Sequence, residues 1–142
     1  MSRSIELFID GASRGNPGPS GIGIAFVGKD KKVLKKIYKF IGDTTNNIAE
    51  YSALIYALQE AVIDRYEEVT VRSDSELLTK QLRGEYKVKN ENLRMYFDMY
   101  QHLKRGFQKI DIVTIPREDN TIADKLANNA IDARFDNSLK TE

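Results

Sequence analysis

The sequence contains no cysteine. Disulfides, thiolate metal sites and a cysteine nucleophile are therefore excluded. It contains one histidine, His102, which excludes a histidine-rich zinc site and a paired-histidine acid–base mechanism. Apolar runs are only a few residues long, too short to span a membrane. The opening stretch, Met-Ser-Arg-Ser-Ile-Glu, lacks the apolar region of a signal peptide, so the expected compartment is the cytoplasm. Neither sign of charge is in excess: 22 Lys and Arg face 21 Asp and Glu, a net charge of +1. A strongly basic nucleic-acid binder would sit higher, although acids gathered in one site can mask a basic face elsewhere. What remains is 142 residues, 41% hydrophobic and 30% charged. This reads as one globular domain over residues 1–135, with a frayed tail over residues 136–142.

The apolar pattern changes period along the chain. Ile5, Leu7 and Ile9 alternate with polar or bulky neighbours, and Ile22, Ile24 and Phe26 alternate with Gly21, Gly23 and Ala25. Both stretches are strands. The turn Gly28-Lys29-Asp30-Lys31 leads into a third strand from Val33 to Ile41. A helix is expected from Asn46 to about Arg65, with Leu54, Leu58, Ala61 and Val62 on one face. A strand over Glu68–Ser73, a short helix from Ser75 to Leu82 and a helix from Asn92 to Arg105 follow. A last strand from Lys109 to Ile115 precedes a helix from Asn120 to about Arg134, with Ile122, Leu126, Ala130 and Ile131 on its apolar face. The order predicts an α/β fold: a five-stranded mixed sheet, three antiparallel N-terminal strands and two parallel ones, flanked by helices. Sites in such sheets form beyond the carboxyl ends of the parallel strands.

Four carboxylates stand out. Asp10 is read as ending the first strand, with Gly11 in a sharp turn; the bland alternative is a turn residue. Asp74 ends the fourth strand, and its alternative is a helix N-cap. Glu50 falls on the apolar arc of its helix, over Leu54, Ala57, Leu58 and Ala61. A carboxylate there is costly unless paired, hydrogen-bonded or bound to a cation. Its alternative is a capping box, Asn47-Ile48-Ala49-Glu50. Asp124 sits in the first turn of the last helix, where an acid also complements the helix dipole. Four carboxylates without Cys or a well-placed His suit a hard cation, Mg²⁺ or Mn²⁺ rather than Zn²⁺. Two such ions about 3.5–4 Å apart can clamp a scissile phosphate.

Ile9-Asp10-Gly11-Ala12-Ser13-Arg14-Gly15-Asn16-Pro17-Gly18, Thr44-Thr45-Asn46-Asn47-Ile48-Ala49-Glu50, Ser73-Asp74-Ser75 and Ile122-Ala123-Asp124-Lys125-Leu126-Ala127 resemble the four blocks of type 1 ribonuclease H, in order. The resemblance implies the ribonuclease H-like fold and an endonuclease that cuts the RNA strand of an RNA–DNA hybrid with two Mg²⁺ ions, Mn²⁺ substituting, to leave 5′-phosphate and 3′-hydroxyl ends. It implies Asp10, Glu50, Asp74 and Asp124 as catalytic metal ligands. It implies Gly11, Asn16, Asn46 and Asn47 near the cut, and Thr45 and Asn90 on a DNA phosphate. Such short neutral groups can read the 2′-hydroxyl that distinguishes RNA. A monomer acting without a membrane or an obligatory protein partner is expected.

The chain also departs from the family. The loop Pro116-Arg117-Glu118-Asp119-Asn120 lacks the histidine many members carry there. Arg117 is its only cation and is assigned the substitute role; the alternative is a solvent-facing loop residue. The basic protrusion of some members is reduced to Gly84–Lys89, with Arg83, Lys87 and Lys89 as its cations, and no N-terminal hybrid-binding module is expected, the first catalytic carboxylate being already residue 10. Glu76 replaces a substrate-contacting glutamine. Lys29, Lys31, Lys32, Lys35, Lys36 and Lys39 read as guards of an edge strand. His102 reads as a surface residue, and Tyr96, Phe97 and Tyr100 as core. Proofreading exonucleases would need an acid where Ala12 stands, and transposases a Glu where Asp124 stands. A binding module that kept the fold without catalysis is the rival from another class.

Overall fold

The computed structural model describes residues 3–135, so the expected tail over 136–142 lies outside the described residues. Strands β1 (Ser4–Ser13), β2 (Gly18–Val27) and β3 (Val33–Thr44) form an antiparallel meander. Helix α1 (Asn46–Ile63), β4 (Glu68–Ser73), α2 (Glu76–Leu82), α3 (Glu91–Leu103), β5 (Lys109–Thr114) and α4 (Thr121–Phe135) follow. The strands make one sheet in the order β3-β2-β1-β4-β5. The central strand, β1, is antiparallel to β2 and parallel to β4, and β4 is parallel to β5. The mixed α/β architecture is the one the sequence predicts.

Alternation along β2 sets up two unlike faces. Ile22, Ile24 and Phe26 turn to one side and cluster with Leu7, Ile9, Val71, Leu54 and Leu58, so α1 rests on large side chains. Gly21 and Gly23 turn to the other side. A Cβ at Gly21 would lie 2.5 Å from the Ala127 carbonyl oxygen, and one at Gly23 would lie 2.2 Å from that of Ala123. Helix α4 therefore rests almost on the strand backbone, through Ala123, Ala127 and Ala130, all buried.

Several boundaries and faces differ from the sequence reading. Strand β1 does not end at Asp10; it stays paired with β2 through Gly11↔Ile22, Ala12↔Gly21 and Ser13↔Ser20. Strand β3 runs on to Thr44 rather than Ile41, past a register shift opposite Ser20 and Gly21 that Gly42 accommodates with a φ of +83°. Val62 and Ile122 were both expected on apolar faces, yet they are 42% and 40% exposed. Each lies about 100° around its helix from a buried alanine neighbour, Ala61 or Ala123. Helix α3 closes as a 3-10 turn over Lys104–Gly106.

Strand β3 is an edge of the sheet, as its lysines suggest. Lys35 binds Glu60 at 2.8 Å and Asp64 at 3.0 Å, and Lys39 lies over the Tyr56 ring. His102 is exposed, Tyr100 is buried, and Tyr96 and Phe97 pack against the core. Among the described residues, no helix is long and apolar enough to cross a membrane.

Candidate active site

The site is made where the two faces meet, near the carboxyl end of β4. Asp10 lies inside β1, directly opposite Gly23. Cross-strand partners share a face, so Asp10 points to the α4 side, and it is only 6% exposed. Its position within a paired strand removes the turn-residue alternative.

Glu50 approaches from the α1 side. A Cβ on Gly11 would lie 2.3 Å from the Ala49 carbonyl carbon, so the glycine is what lets the first turn of α1 press against β1. The Gly11 N–H then donates to Glu50 Oε1 at 3.0 Å. Gly11, expected among the substrate contacts, thus commits its amide to a carboxylate. The capping-box alternative for Glu50 fails, because α1 is capped by Thr45, whose hydroxyl oxygen accepts from the Ile48 N–H at 3.2 Å. The N-cap alternative for Asp74 fails likewise: Ser75 caps α2, accepting from the Leu78 N–H at 3.2 Å. Asp10, Glu50 and Asp74 each offer an oxygen within 4.8 Å of the others.

Asp124 stands beside this trio rather than in it. Its carboxyl acts on Asp10 through a hydrogen bond and through charge. Asn128, one turn along α4, donates its Nδ2 to the Asp124 carbonyl at 3.0 Å and to Asp124 Oδ1 at 3.4 Å. Sequence reasoning missed Asn120, which is 1% exposed. Its Nδ2 donates to the Ile9 carbonyl at 2.9 Å and reaches Asp74 Oδ2 at 3.5 Å. Its Oδ1 is buried with no hydrogen-bond partner among the described residues. The one available signal was its place four residues before Asp124, whose N–H it accepts.

The electrostatics are those of acids crowded out of water. Burial, then the charge of Asp74, then Asp124 push Asp10 from its ordinary 3.8 up to about 8, while the Gly11 N–H opposes the shift. Burial, then Asp10 and Asp74, hold Glu50 well above the ordinary carboxylate range; the Gly11 N–H and the Arg117 charge oppose this. Like charges at this spacing resist joint ionisation. An all-oxygen acidic donor set in this condition fits a hard divalent cation, whose charge would reverse the penalty. Arg117, on an exposed 3-10 turn over Arg117–Asp119, is close enough to act on Glu50.

Beside the carboxylates lies a polar cleft of about 190 Å³. It brings together Asn16, Thr45, Asn47 and Asn90, all expected from the sequence, and adds Asn92. Asn16 Oδ1 accepts from the Asn46 N–H at 3.0 Å. Asn90 caps α3, its Oδ1 accepting from the Asn92 and Leu93 N–H groups. Thr45 and Asn90 therefore use their oxygens as acceptors for helix caps, leaving the hydroxyl and the NH₂ as donors towards a ligand. The two helix starts also favour an anion. Glu76, at 66% side-chain exposure, pairs with Lys80 at 3.1 Å, which offsets its charge.

Comparison with known proteins follows the same outline. A family model described as reverse transcriptase-like matches residues 8–130. A bifunctional protein of Mycobacterium tuberculosis is 42% identical over 130 residues, covering 91% of this chain and 36% of that protein. The chain thus spans about a third of the length of the mycobacterial relatives it matches. Ribonuclease H of Pseudomonas syringae pv. syringae is 36% identical over 148 residues, covering 93% of this chain and 95% of that protein. The crystal structure of LC11-RNase H1 in complex with an RNA/DNA hybrid, from an enzyme isolated from compost, is 42% identical with a TM-score of 0.88. That match covers 92% of this chain and 99% of the other.

Proposed function

This chain belongs to the ribonuclease H family, and from that premise we propose that it is an endonuclease hydrolysing the RNA strand of RNA–DNA hybrids. The observation that carries the reading is the trio Asp10, Glu50 and Asp74, with ligand oxygens within 4.8 Å of one another, together with a cleft at the start of α1 whose lining includes Asn16, Thr45, Asn47, Asn90 and Asn92 beside Ile48 and Leu93. The relative solved with an RNA/DNA hybrid supports the substrate.

Asp10, Glu50, Asp74 and Asp124 would hold two Mg²⁺ ions, with Mn²⁺ as a substitute. Bound there, such ions supply Lewis-acid charge to an attacking water and to the leaving 3′ oxygen. Water forms the new P–O bond, the P–O3′ bond breaks, and a proton passes to the leaving oxygen, giving a 5′-phosphate and a 3′-hydroxyl. The Gly11 N–H holds the Glu50 carboxylate, and the Asn120 side chain, anchored on the Ile9 carbonyl, reaches that of Asp74. Asn16, Asn46 and Asn47 read the 2′-hydroxyl, a group present only on the RNA strand. The Thr45 hydroxyl and the Asn90 NH₂ hold a phosphate of the DNA strand, aided by the α1 and α3 starts. Arg117, the cation of a loop without histidine, is near enough for its charge to favour ionised Glu50 and would take the substitute role there. All of these groups come from one chain, so a monomer suffices.

The test is cleavage of an end-labelled hybrid with Mg²⁺, with Mn²⁺ and with chelator, beside duplex RNA and duplex DNA. Metal-dependent cutting confined to the hybrid's RNA strand is expected. A folded protein that binds hybrid and cuts nothing at micromolar concentration would leave a binding module in its place.

A further inference from the structure

Asp124 stands outside the oxygen cluster of the other three acids and meets it at Asp10, and a second contact holds it from its own helix. Its neighbour one turn on, Asn128, donates Nδ2 to both its carbonyl and its carboxylate. Asn128 is itself held from outside the helix. Arg14 Nη2 lies 3.3 Å from Asn128 Oδ1 and 3.3 Å from the Asn128 carbonyl oxygen, and Arg14 Nη1 lies 2.6 Å from Asp132 Oδ1. A guanidinium only donates. It therefore fixes which end of the Asn128 amide faces it, and the NH₂ is left facing Asp124.

Arg14 stands in the turn between β1 and β2, four residues after Asp10 and two before Asn16. The same turn that presents Asn16 to the polar cleft is thus strapped to the helix that carries Asp124. The strap adds little to stability. The Arg14 and Asp132 side chains are 44% and 63% exposed, and exposed pairs of this kind contribute little because water screens them. Its effect falls on the orientation of one carboxylate.

We infer that Arg14 and Asn128 are positioning residues that hold Asp124 for the second divalent cation and tie its placement to the substrate-contacting turn. The inference rests on the proposed nuclease reading. Groups that orient a metal ligand typically change metal affinity or activity by about 10–100-fold when removed, which sets the scale.

The variants are Asn128→Ala, Asn128→Asp, Arg14→Ala and Arg14→Lys in the full chain. Each is assayed for kcat, KM and the Mg²⁺ concentration for half-maximal hybrid cleavage. Mn²⁺ affinity is measured by calorimetry without hybrid, and thermal unfolding confirms the fold. Asn128→Ala should raise the Mg²⁺ requirement about tenfold and lower kcat, with KM for hybrid nearly unchanged, and should weaken Mn²⁺ binding in parallel. Arg14→Ala should shift the same quantities less, and Arg14→Lys should recover part of the loss because its ammonium can still donate to Asn128 Oδ1. Asn128→Asp places a like charge against Asp124 and should be worse than alanine. Should Asn128→Ala fail to fold, the Arg14 pair carries the same test from an exposed position. Folded variants with wild-type Mg²⁺ dependence and Mn²⁺ affinity, beside a wild type that cuts, overturn the inference alone. A wild type that neither cuts nor binds Mn²⁺ overturns it together with the nuclease reading.

Discussion

The two faces of the sheet are built from opposite materials. Helix α1 lies on Leu7, Ile9, Ile22 and Ile24, all fully buried. Helix α4 lies on Gly21 and Gly23, where no side chain fits. Large side chains hold a helix at a distance and supply stability through buried apolar area. Glycines supply little area and let backbone approach backbone. It is on the glycine face that Asp10 meets Asp124. Buried apolar area comes mainly from the α1 side, whereas the site takes Glu50 from that side and Asp10 with Asp124 from the other.

The comparison breaks first where the faces join. Asp10→Asn should slow hybrid cleavage by at least about 10³-fold, equivalent to about 4 kcal/mol in the barrier, and yet stabilise the cation-free protein. The sign follows from the raised acid. The folded state keeps the Asp10 proton up to about pH 8, while an ordinary carboxyl loses it near 3.8. Between those values the folded state binds more protons, so wild-type stability falls as pH rises. Urea unfolding in chelator between pH 4 and pH 8 should show that decline in the wild type and a shallower one in Asp10→Asn. At pH 8 the variant should be ahead by an amount on the order of 1–3 kcal/mol. Equal slopes would mean that the crowded acids carry no such penalty. Adding divalent cation should raise the wild-type midpoint more than the variant's.

Leu54→Ala tests the α1 face alone. It should cost about 2–5 kcal/mol of stability while leaving cleavage per folded molecule unchanged. Gly23→Ala is its counterpart on the other face. Overpacking there should cost about 1–3 kcal/mol, but displacement of α4 should also slow cleavage by about 10²-fold. If denaturation and kinetics showed both variants losing activity alike, the division of labour between the faces would be wrong. The smallest effect is at the rim. Lys35→Met removes the contacts to Glu60 and Asp64 and should cost no more than about 1 kcal/mol, less still at high salt, with cleavage unaffected.

Much of this was legible in the sequence because it is written in periods and in misplaced charge. The alternation of Ile5, Leu7 and Ile9 gives β1, and Glu50 among apolar neighbours gives a member of the carboxylate cluster. Gly11 misled: a glycine after an acid reads as a turn, whereas here it is a point of close approach inside a strand. Ile122 misled too: its size suggested burial, yet the buried position is its neighbour Ala123, and Ile122 is turned towards solvent. Asn120, Asn128 and Arg14 were silent for another reason. Their partners lie far along the chain, Asn120 with Ile9 and Arg14 with Asn128, and polar residues in loops or on helix surfaces follow no period that could reveal such contacts.

The place of β1 between β2 and β4 has a consequence for the order of assembly. Its partners on one side are a hairpin away; its partner on the other side begins at Glu68, and α4 follows later still. Nearby contacts form early and distant ones late, because long loops must close first. A growing chain that has completed the meander and α1 carries Asp10 and Glu50 but neither Asp74 nor Asp124 in place. A polypeptide made on an RNA template therefore acquires its four acids only after the last strand and helix α4 have been joined to it.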